Sequence, residues 1–368
     1  MRPLKIGLIG GGPHSAVGSA HVAAIRMDGA YQIGPSVFSH AEHENRIGHE
    51  RYGLPWIAHP ENLETWLAEH AGSLDLVAIL TPATDHARHI RDVAARGLPF
   101  LCEKPVACSR HEVAEVEAAL AATPGIVARF VHNYSGYPLF REMVLRVEDG
   151  AIGPIHHIRV NMPSDGFARE NITGKPQMWR RNDPEVPMLM LDLGTHMHHL
   201  VRMLAGPSHA RVSARMHTFV NSFGVVDHAE IWEERSDGIQ VSYWMSKAHL
   251  GVKNGLSIEA YGRDGALLWH QMDPDHLVYV DTDSNRIVVN RGAVKAEANL
   301  RSRFKPGHPT GFVEAFASFY SDLAEDLAAA RRGQPGSRWI RPMQDAFDSI
   351  EFLSAAARSH DTGQWVEI

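Results

Sequence analysis

The chain has 368 residues, of which 44% are hydrophobic and 21% are charged, and its formal net charge is -7 with the histidines neutral. This composition excludes a disordered chain, and the lack of a basic run argues against nucleic acid and anionic membranes as partners. Two cysteines are too few for a disulfide framework, so we expect a cytoplasmic protein. The N-terminal apolar run is broken by glycines, unlike a signal peptide, and no run is long enough to span a bilayer.

Short apolar runs alternate with amphipathic segments over the first third of the chain. Strands are predicted at KIGLIG, IGPSVFS, DLVAIL, PFLCEK and IVARFVHNY. Helices are predicted at SAHVAAIRM, ENLETWLAEH, TDHARHIRDVAARG and SRHEVAEVEAALAA, with Asn62 as a cap or first-turn residue of the second. This alternation is typical of an α/β fold with a doubly wound parallel sheet, the Rossmann arrangement, over residues 1–130.

A different pattern begins after residue 130. The helix FREMVLRVEDGAIG is followed by two-period runs at IHHIRVNMP, HARVSARMHTFV, HAEIWEERSDGIQVSYWMS, GLSIEAYGRDGALLWH, HLVYVDTD and RIVVNRG. Turn signals separate these runs, which predicts an open, mostly antiparallel sheet. Further helices are expected at DLGTHMHHLVRMLAG, 313–331 and 345–359. Residues 131–368 are therefore predicted to form an α+β domain for substrate binding and oligomerisation.

A glycine-rich loop joins the first strand to the first helix. Gly10 and Gly12 allow the tight turn and the close approach that a pyrophosphate at a helix N-terminus requires. The strict G-x-G-x-x-G spacing is absent, because three extra residues precede Gly18. The strand before the loop and the helix after it favour a dinucleotide site over a simple tight turn. The candidate cofactor contacts in this loop are Gly10, Gly12, Pro13, His14, Ser15 and Val17.

The end of the second strand bears on the choice between NAD and NADP. In this fold an acidic residue there accepts the ribose hydroxyls of NAD. Here the strand ends in Ser39 and His40, followed by Glu42 and Glu44, and Arg46 is the only strong cation nearby. The two glutamates disfavour a 2′-phosphate, so the sequence favours NAD and leaves NADP open.

Together, the glycine loop, TPATDHARH, LCEKPVA and DLGTHMHHL resemble the glucose–fructose oxidoreductase / inositol dehydrogenase / MocA family over nearly the whole chain. The resemblance implies an NAD(P)-dependent enzyme that oxidises or reduces a carbinol of a sugar, cyclitol or related polyol. It also implies a cis bond before Pro105 and places the helix histidine of the family at His21. The nicotinamide-side motif falls on Thr81, Pro82 and His86, the E-K-P motif on Glu103, Lys104 and Pro105, and the D-x-x-x-H pair on Asp192 and His196.

This sequence departs from the family pattern at three points. The glycine loop is longer, the small glycines usually found before the D-x-x-x-H pair are missing, and His199 stands where the family often has aspartate.

The expected chemistry needs a cation or donor for the developing alkoxide and a base for the hydroxyl proton. Lys104 follows a parallel strand, where ligands bind in such sheets, and is expected to face a substrate oxygen. Asp192 and His196 are four residues apart, so a helix places them on one face, and the carboxylate can steer the imidazole that serves as general base. Glu103 orients Lys104, holds the turn and contacts the cofactor, or forms an ion pair that caps the strand.

Other polar residues are weaker candidates. Three zinc ligands from one short helix would have poor geometry, so no metal is expected, and His198 is interpreted as a packing residue. The remaining candidates for substrate contact lie near the domain junction, on a sheet strand, around the D-x-x-x-H helix or in the KPGHPTGF loop: Tyr134, Asn161, Trp179, Arg180, His199 and His308.

The sequence thus predicts a hydride-transferring sugar or polyol dehydrogenase. Two alternatives stay open: an enzyme that retains NAD and uses it transiently during elimination or hydrolysis, and a nucleotide-binding sensor without activity. Because amphipathic strands in an open sheet leave a second face to be covered, a homodimer or homotetramer is expected.

Overall fold

The computed structural model of the chain describes residues 2–57, 60, 62–168 and 181–368. It separates into two compact units, one formed by residues 1–136 and 311–347 and the other by residues 137–310 and 348–368. None of the helices within these described ranges is long and apolar enough to cross a membrane.

The first unit is built on a five-stranded parallel sheet of order β2-β1-β3-β4-β5. Its strands are β1 (Leu4–Gly10), β2 (Tyr31–Ile33), β3 (Leu76–Leu80), β4 (Phe100–Cys102) and β5 (Ala128–Phe130). Its helices are Gly18–Met27, Glu42–Tyr52, Leu63–His70, His86–Ala94, Arg110–Ala121 and Phe312–Ala330, together with the first residues of Met343–Thr362. The predicted doubly wound parallel sheet is confirmed.

Strand β3 shows why both faces of this sheet are covered. All five of its residues are buried, and they alternate between two apolar clusters. Leu76, Ala78 and Leu80 belong to one cluster, while Val77 and Ile79 belong to the other. A fully apolar strand is expected where helices pack on both faces of a parallel sheet.

The second strand lies earlier than the sequence predicts: β2 covers Tyr31–Ile33, whereas the predicted strand IGPSVFS begins at Ile33. Regular pairing ends at Ile33, before Gly34 and Pro35, and beyond them only an isolated bridge joins Val37 to Ile9. The Ser36 hydroxyl accepts the Leu8 amide at 3.1 Å where a strand would offer a carbonyl. The helix Glu42–Tyr52 that follows was not predicted, because its sequence is polar and lacks a clear apolar stripe.

Residues 311–347 pack in the first unit, although the predicted division placed them with residues 131–368. The helix Phe312–Ala330 supplies Phe316, Tyr320 and Leu323 to the cluster that holds Ile6 and Ile25. The sequence shows this helix clearly, but its amphipathic pattern does not specify which sheet it covers.

The second unit contains a nine-stranded sheet of order β13-β12-β11-β10-β6-β9-β8-β7-β14. Its strands are β6 (Ile155–Pro163), β7 (Ala210–His217), β8 (His228–Arg235), β9 (Gln240–Ser246), β10 (Ser257–Gly262), β11 (Gly265–His270), β12 (Asp273–Val280), β13 (Arg286–Asn290) and β14 (Val366–Glu367). Only β6 and β9 pair in parallel among these strands, so the predicted, mostly antiparallel sheet is confirmed. Its helices include Pro138–Glu148, Thr195–Ala205, Ala296–Asn299 and the greater part of Met343–Thr362.

The two faces of this sheet differ. One face is covered by helices: Tyr243 of β9 packs against Phe352, with ring centroids 5.0 Å apart. The other face, here called the open face, carries the alternate residues, among them Arg159 on β6 and Trp232 on β8, which is 52% exposed. This division follows from the two-residue period of a strand.

Candidate active site

The glycine loop is a tightly packed turn at the carboxyl end of β1. Gly10 and Gly11 have φ angles of 83° and 73°, which side chains rarely adopt. Gly11 donates its amide to the Leu80 carbonyl at 3.1 Å and accepts the Tyr52 hydroxyl at 2.9 Å. A Cβ on Gly18 would lie 2.0 Å from the Gly11 oxygen, so only glycine fits there. Sequence reasoning missed Gly11, because the motif spacing pointed to its neighbours.

The additional loop residues form a turn of their own. Ser15 donates its amide to the Gly12 carbonyl at 2.9 Å, and its hydroxyl accepts the amides of Val17 and Gly18. Pro13 and Val17 are partly exposed, and the imidazole of His14 lies 3.2 Å from the Glu44 carboxylate. Ser15 therefore caps the start of the helix Gly18–Met27, which compensates for a cap residue, Val17, that makes no side-chain capping bond.

The segment after β2 supplies Arg46, a cation that has partners of its own. The Ser39 hydroxyl accepts the Ala41 amide at 3.1 Å, and His40 is exposed. Arg46 lies 3.4 Å from Glu42, and its guanidinium sits 4.4 Å from the centroid of the Trp56 ring. This geometry turns Arg46 toward a carboxylate and an indole.

The end of β3 is tied to the E-K-P turn by a buried histidine. His86 Nδ1 lies 2.6 Å from the Pro105 carbonyl oxygen and Nε2 lies 2.9 Å from the Thr81 carbonyl oxygen, and the neutral ring donates to one of the two. Burial lowers the pKa of His86, which is 1% exposed. Both ring nitrogens thus lie close to the backbone, so His86 braces the turn, while Pro82 lies exposed at the strand end. The Thr81 hydroxyl lies 3.0 Å from His89 Nδ1, and burial lowers the pKa of His89 to about 4.

Glu103 belongs to a buried network at the end of β4. Its Oε1 atom lies 2.8 Å from His21 Nε2, and His21 Nδ1 lies 2.7 Å from the Tyr320 hydroxyl. Burial alone would raise the pKa of Glu103, but the hydrogen bond and charge of His21, with the charge of Lys104, bring that pKa below its ordinary value. Of the roles the sequence left open, the structure supports the ion pair, and Glu103 also holds the turn by accepting the Lys104 amide at 3.0 Å.

Lys104 lies at the sheet edge where the glycine loop begins. Strands β1, β3 and β4 are parallel, so Gly10, Thr81 and Lys104 all follow carboxyl ends at one edge. The side chain is half-buried, and the Lys104–Pro105 peptide bond is cis, as the resemblance implies. Tyr134 in the same unit is 7% exposed and packs against Phe312, with ring centroids 6.3 Å apart.

Asp192 and His196 lie on one continuous helical segment of the second unit. Met190–Gly194 has π-helical hydrogen bonding and leads directly into the α-helix Thr195–Ala205. Wider turns of this kind are rare and are found often at functional sites. Gly194 fits closely here, since a Cβ would lie 2.8 Å from Leu353. His196 is 7% exposed, as expected for a side chain held in a cavity or core.

Lys247, at the end of β9, is a site residue that sequence reasoning missed. Its Nζ atom lies 2.6 Å from Asp192 Oδ2, and both side chains are 12% exposed. A signal was present, because Val241, Tyr243 and Met245 point inward with a period of two and the next inward position is 247. A lysine at an inward position requires a buried partner.

The other histidines of this unit occupy different environments. His198 stacks on Phe352, with centroids 4.6 Å apart, and its Nδ1 lies 2.8 Å from the Ser349 hydroxyl, which confirms its packing role. His199 is 4% exposed on the same helix, and His308 lies in an exposed loop. Within the described ranges, no group of three or more His, Cys, Asp and Glu side chains is arranged to hold a metal ion.

Asn161 lies away from the Asp192 helix. Its neighbours Val160 and Met162 face the helices, whereas the Asn161 amide bonds the Ser257 hydroxyl at 3.1 Å on the open face. The predicted substrate contact therefore sits across the sheet from Asp192 and His196, because strand alternation places 161 with Arg159. Trp179 and Arg180 lie outside the described residues.

Family models match a large part of each unit. A family model described as an oxidoreductase family with an NAD-binding Rossmann fold matches residues 4–129. A second model, the GFO/IDH/MocA C-terminal domain, matches residues 140–268.

Similar proteins cover nearly the entire chain. An uncharacterised oxidoreductase of Bacillus subtilis, YfiI, is 26% identical over 100% of this chain and 97% of its own length. The glucose-6-phosphate 3-dehydrogenase of the same organism is 24% identical over 95% of this chain and 94% of its own. The crystal structure of an inositol dehydrogenase homologue from Azotobacter vinelandii with NAD+ superimposes with a TM-score of 0.92 at 23% identity, covering 100% and 98% of the two chains. This likeness shows a shared fold.

Proposed function

We propose a reaction for this chain, which belongs to the Gfo/Idh/MocA family of NAD-binding oxidoreductases. In this proposal it transfers a hydride between NAD and a carbinol carbon of a sugar, cyclitol or related polyol. A relative similar over almost the full length is named as a sugar-phosphate dehydrogenase, and a similar structure as an inositol dehydrogenase homologue. Both names belong to the substrate class expected from the sequence.

One observation carries the proposal: a single sheet edge in the first unit presents both the glycine cradle and Lys104. Ligands of parallel sheets bind at the carboxyl ends of the strands. Glu103, the residue before Lys104, contacts His21, and this contact holds the E-K-P turn in place. A lysine placed there is suited to stabilise negative charge on a substrate oxygen.

The residues present fit a dinucleotide. Gly10 and Gly11 adopt positive φ, and the missing side chain of Gly18 lets the helix start against the loop. This cradle brings the loop next to the start of a ten-residue helix, a position suited to a pyrophosphate. The contacts of Arg46 with Glu42 and Trp56 support NAD over NADP, because the local cation is paired with a carboxylate.

In the proposed oxidation, bound NAD would supply the hydride acceptor. The carbinol C–H bond breaks, the oxygen keeps its electrons to form a carbonyl, and its proton passes to a ring nitrogen of His196. Lys104 donates a hydrogen bond to the oxygen as its charge grows. Asp192 orients the imidazole and compensates the positive charge it acquires. In the reverse direction His196 returns the proton.

The test is nicotinamide reduction with a panel of inositols, aldoses and sugar acids, using NAD and NADP separately. Turnover with one substrate group, lowered at least a hundredfold by Lys104→Ala, supports the proposal. Lys253→Ala is the matched control, since Lys253 pairs with Asp165 elsewhere in the chain. Tightly held NAD without net turnover would favour transient redox chemistry, and a chain that binds no nucleotide would overturn the proposal.

We also propose that the open face joins copies of the chain in a homodimer or homotetramer. Trp232 is half exposed there, and Arg159 and Glu259 lie on directly paired strands. A partly apolar surface with both signs of charge is suited to self-association.

A further inference from the structure

Several contacts fix the position of Lys247 in its ion pair with Asp192. The Lys247 amide donates to the Asp227 carbonyl at 2.8 Å, and the Lys247 carbonyl accepts the amide of Phe167 at 2.9 Å. Its ammonium lies 5.1 Å from the centroid of the Phe167 ring, within the range of a cation–π interaction. The main chain and the side chain of Lys247 are therefore both fixed.

The residue that positions Lys247 is itself locked in place. Asp227 is fully buried, and its carboxylate accepts the amides of Phe219, Val220 and Asn221 at 2.8 to 3.2 Å. The Asp227 carbonyl also accepts the Ser246 hydroxyl at 2.9 Å. These hydrogen bonds fix the backbone from which the Lys247 side chain reaches Asp192.

From this arrangement we infer that Lys247 is a positioning residue for the proposed reaction: it holds the Asp192 carboxylate ionised and oriented, and it lowers the proton affinity of His196. The inference rests on the proposed function, in which His196 is the base. A lone carboxylate beside an imidazole favours the protonated ring, which cannot accept a proton. A carboxylate paired with an ammonium acts on the ring with a weaker field, so the ring binds its proton less tightly than it would beside a lone carboxylate.

Other charged groups surround the pair. The same helix carries His198 and His199, and the segment before it carries Asp183, whose carboxylate accepts the amides of Met188 and Val226. From the strands come Asp227 and His249, whose ring meets Trp244 edge-on at 4.9 Å. The packed helix Pro138–Glu148 contributes the buried Arg141, and the segment from residue 181 contributes Arg181, stacked on Phe223 at 4.4 Å. None of these residues is substituted in the test, so the same groups are present in every variant.

The test measures the titration of His196 directly, by NMR of protein labelled at histidine Cε1, with His196→Gln to assign the signal. Lys247→Met is expected to raise the midpoint by about half a pH unit or more, and Lys247→Arg to restore it. Asp192→Asn is expected to shift it downward, since the ammonium then acts alone. Lys253→Met removes a partner from a pair of similar length but greater exposure, Lys253–Asp165 at 2.7 Å, and should leave the midpoint unchanged.

Turnover provides the second measurement. The acidic limb of the pH profile of kcat/KM is expected to move to higher pH in Lys247→Met and to return to its wild-type position in Lys247→Arg. A loss of packing alone would not shift this limb. A His196 midpoint that follows neither Lys247 nor Asp192 overturns the inference, whatever the activity. A wild-type protein without turnover overturns the proposed function, while the NMR titration still decides the role of Lys247.

Discussion

Gly18→Ala is expected to disrupt the glycine loop. The new Cβ would lie 2.0 Å from the Gly11 oxygen, whereas such contacts are essentially never shorter than 3.0 Å, so the carbonyl must retreat by about 1 Å. That movement strains the bond from Gly11 to Leu80 and the bond from the Tyr52 hydroxyl. Overpacking costs about 1–3 kcal/mol and each hydrogen bond about 1 kcal/mol, which gives roughly 3–5 kcal/mol in all.

Calorimetric titration with NAD and urea denaturation would measure both consequences of this change. We expect the Kd for NAD to rise at least tenfold, equivalent to about 1.4 kcal/mol, together with the loss of stability. Gly72→Ala is the matched control, because a Cβ there meets nothing within 4 Å and the backbone φ is not positive. If Gly18→Ala binds NAD and unfolds like Gly72→Ala, the proposed cradle is refuted.

Three further predictions concern the network, the sheet and a helix end. The pKa of Glu103 is lowered in the folded protein, so its contribution to stability is complete above the ordinary carboxyl pKa and is lost as pH falls through the folded value. Glu103→Gln should therefore unfold at a lower urea concentration than the wild type, and the difference between the two urea midpoints should be larger near neutral pH than below about pH 4. A difference that does not change with pH contradicts this prediction. Trp232→Glu should reduce the mass measured by light scattering, and an unchanged mass argues against the open face as an interface. Asn62→Ala removes the bond to the Thr65 amide and should cost about 1 kcal/mol in thermal or urea denaturation, unlike Asn62→Ser.

Most of the fold can be predicted from local patterns in the sequence. The Asn62 cap, the apolar strand β3 and the two-period strands of the second unit are all set by residues close together in the chain. The second strand is predicted too late in the chain, because the apolar pattern continues through Val37 while Gly34 and Pro35 interrupt the ladder, which ends at Ile33. A proline cannot donate to a ladder, and that constraint outweighed the pattern.

The partners of the site residues were harder to predict, because they are distant in sequence. Glu103 pairs with His21 across 82 positions, and Asp192 pairs with Lys247 across 55. In both cases the sequence does show that a partner must exist, since a carboxylate at the edge of a core is costly without one. Which cation fills that need depends on the topology that brings the strand ends together.

Strand alternation distinguishes two polar residues of the second unit, Asn161, which the sequence analysis named as a candidate, and Lys247, which it did not. Asn161 and Lys247 both lie on the central parallel pair, β6 and β9, or immediately after it. The inward positions are Val160 and Met162 on one strand and Tyr243 and Met245 on the other, so a step of two reaches Lys247 and passes over Asn161. Alternation thus places Lys247, and not Asn161, on the face that carries Asp192. For an open sheet with helices on one face, the inward polar residue at a strand end is therefore the better indicator of a site, because burying it requires a partner that the open face does not demand.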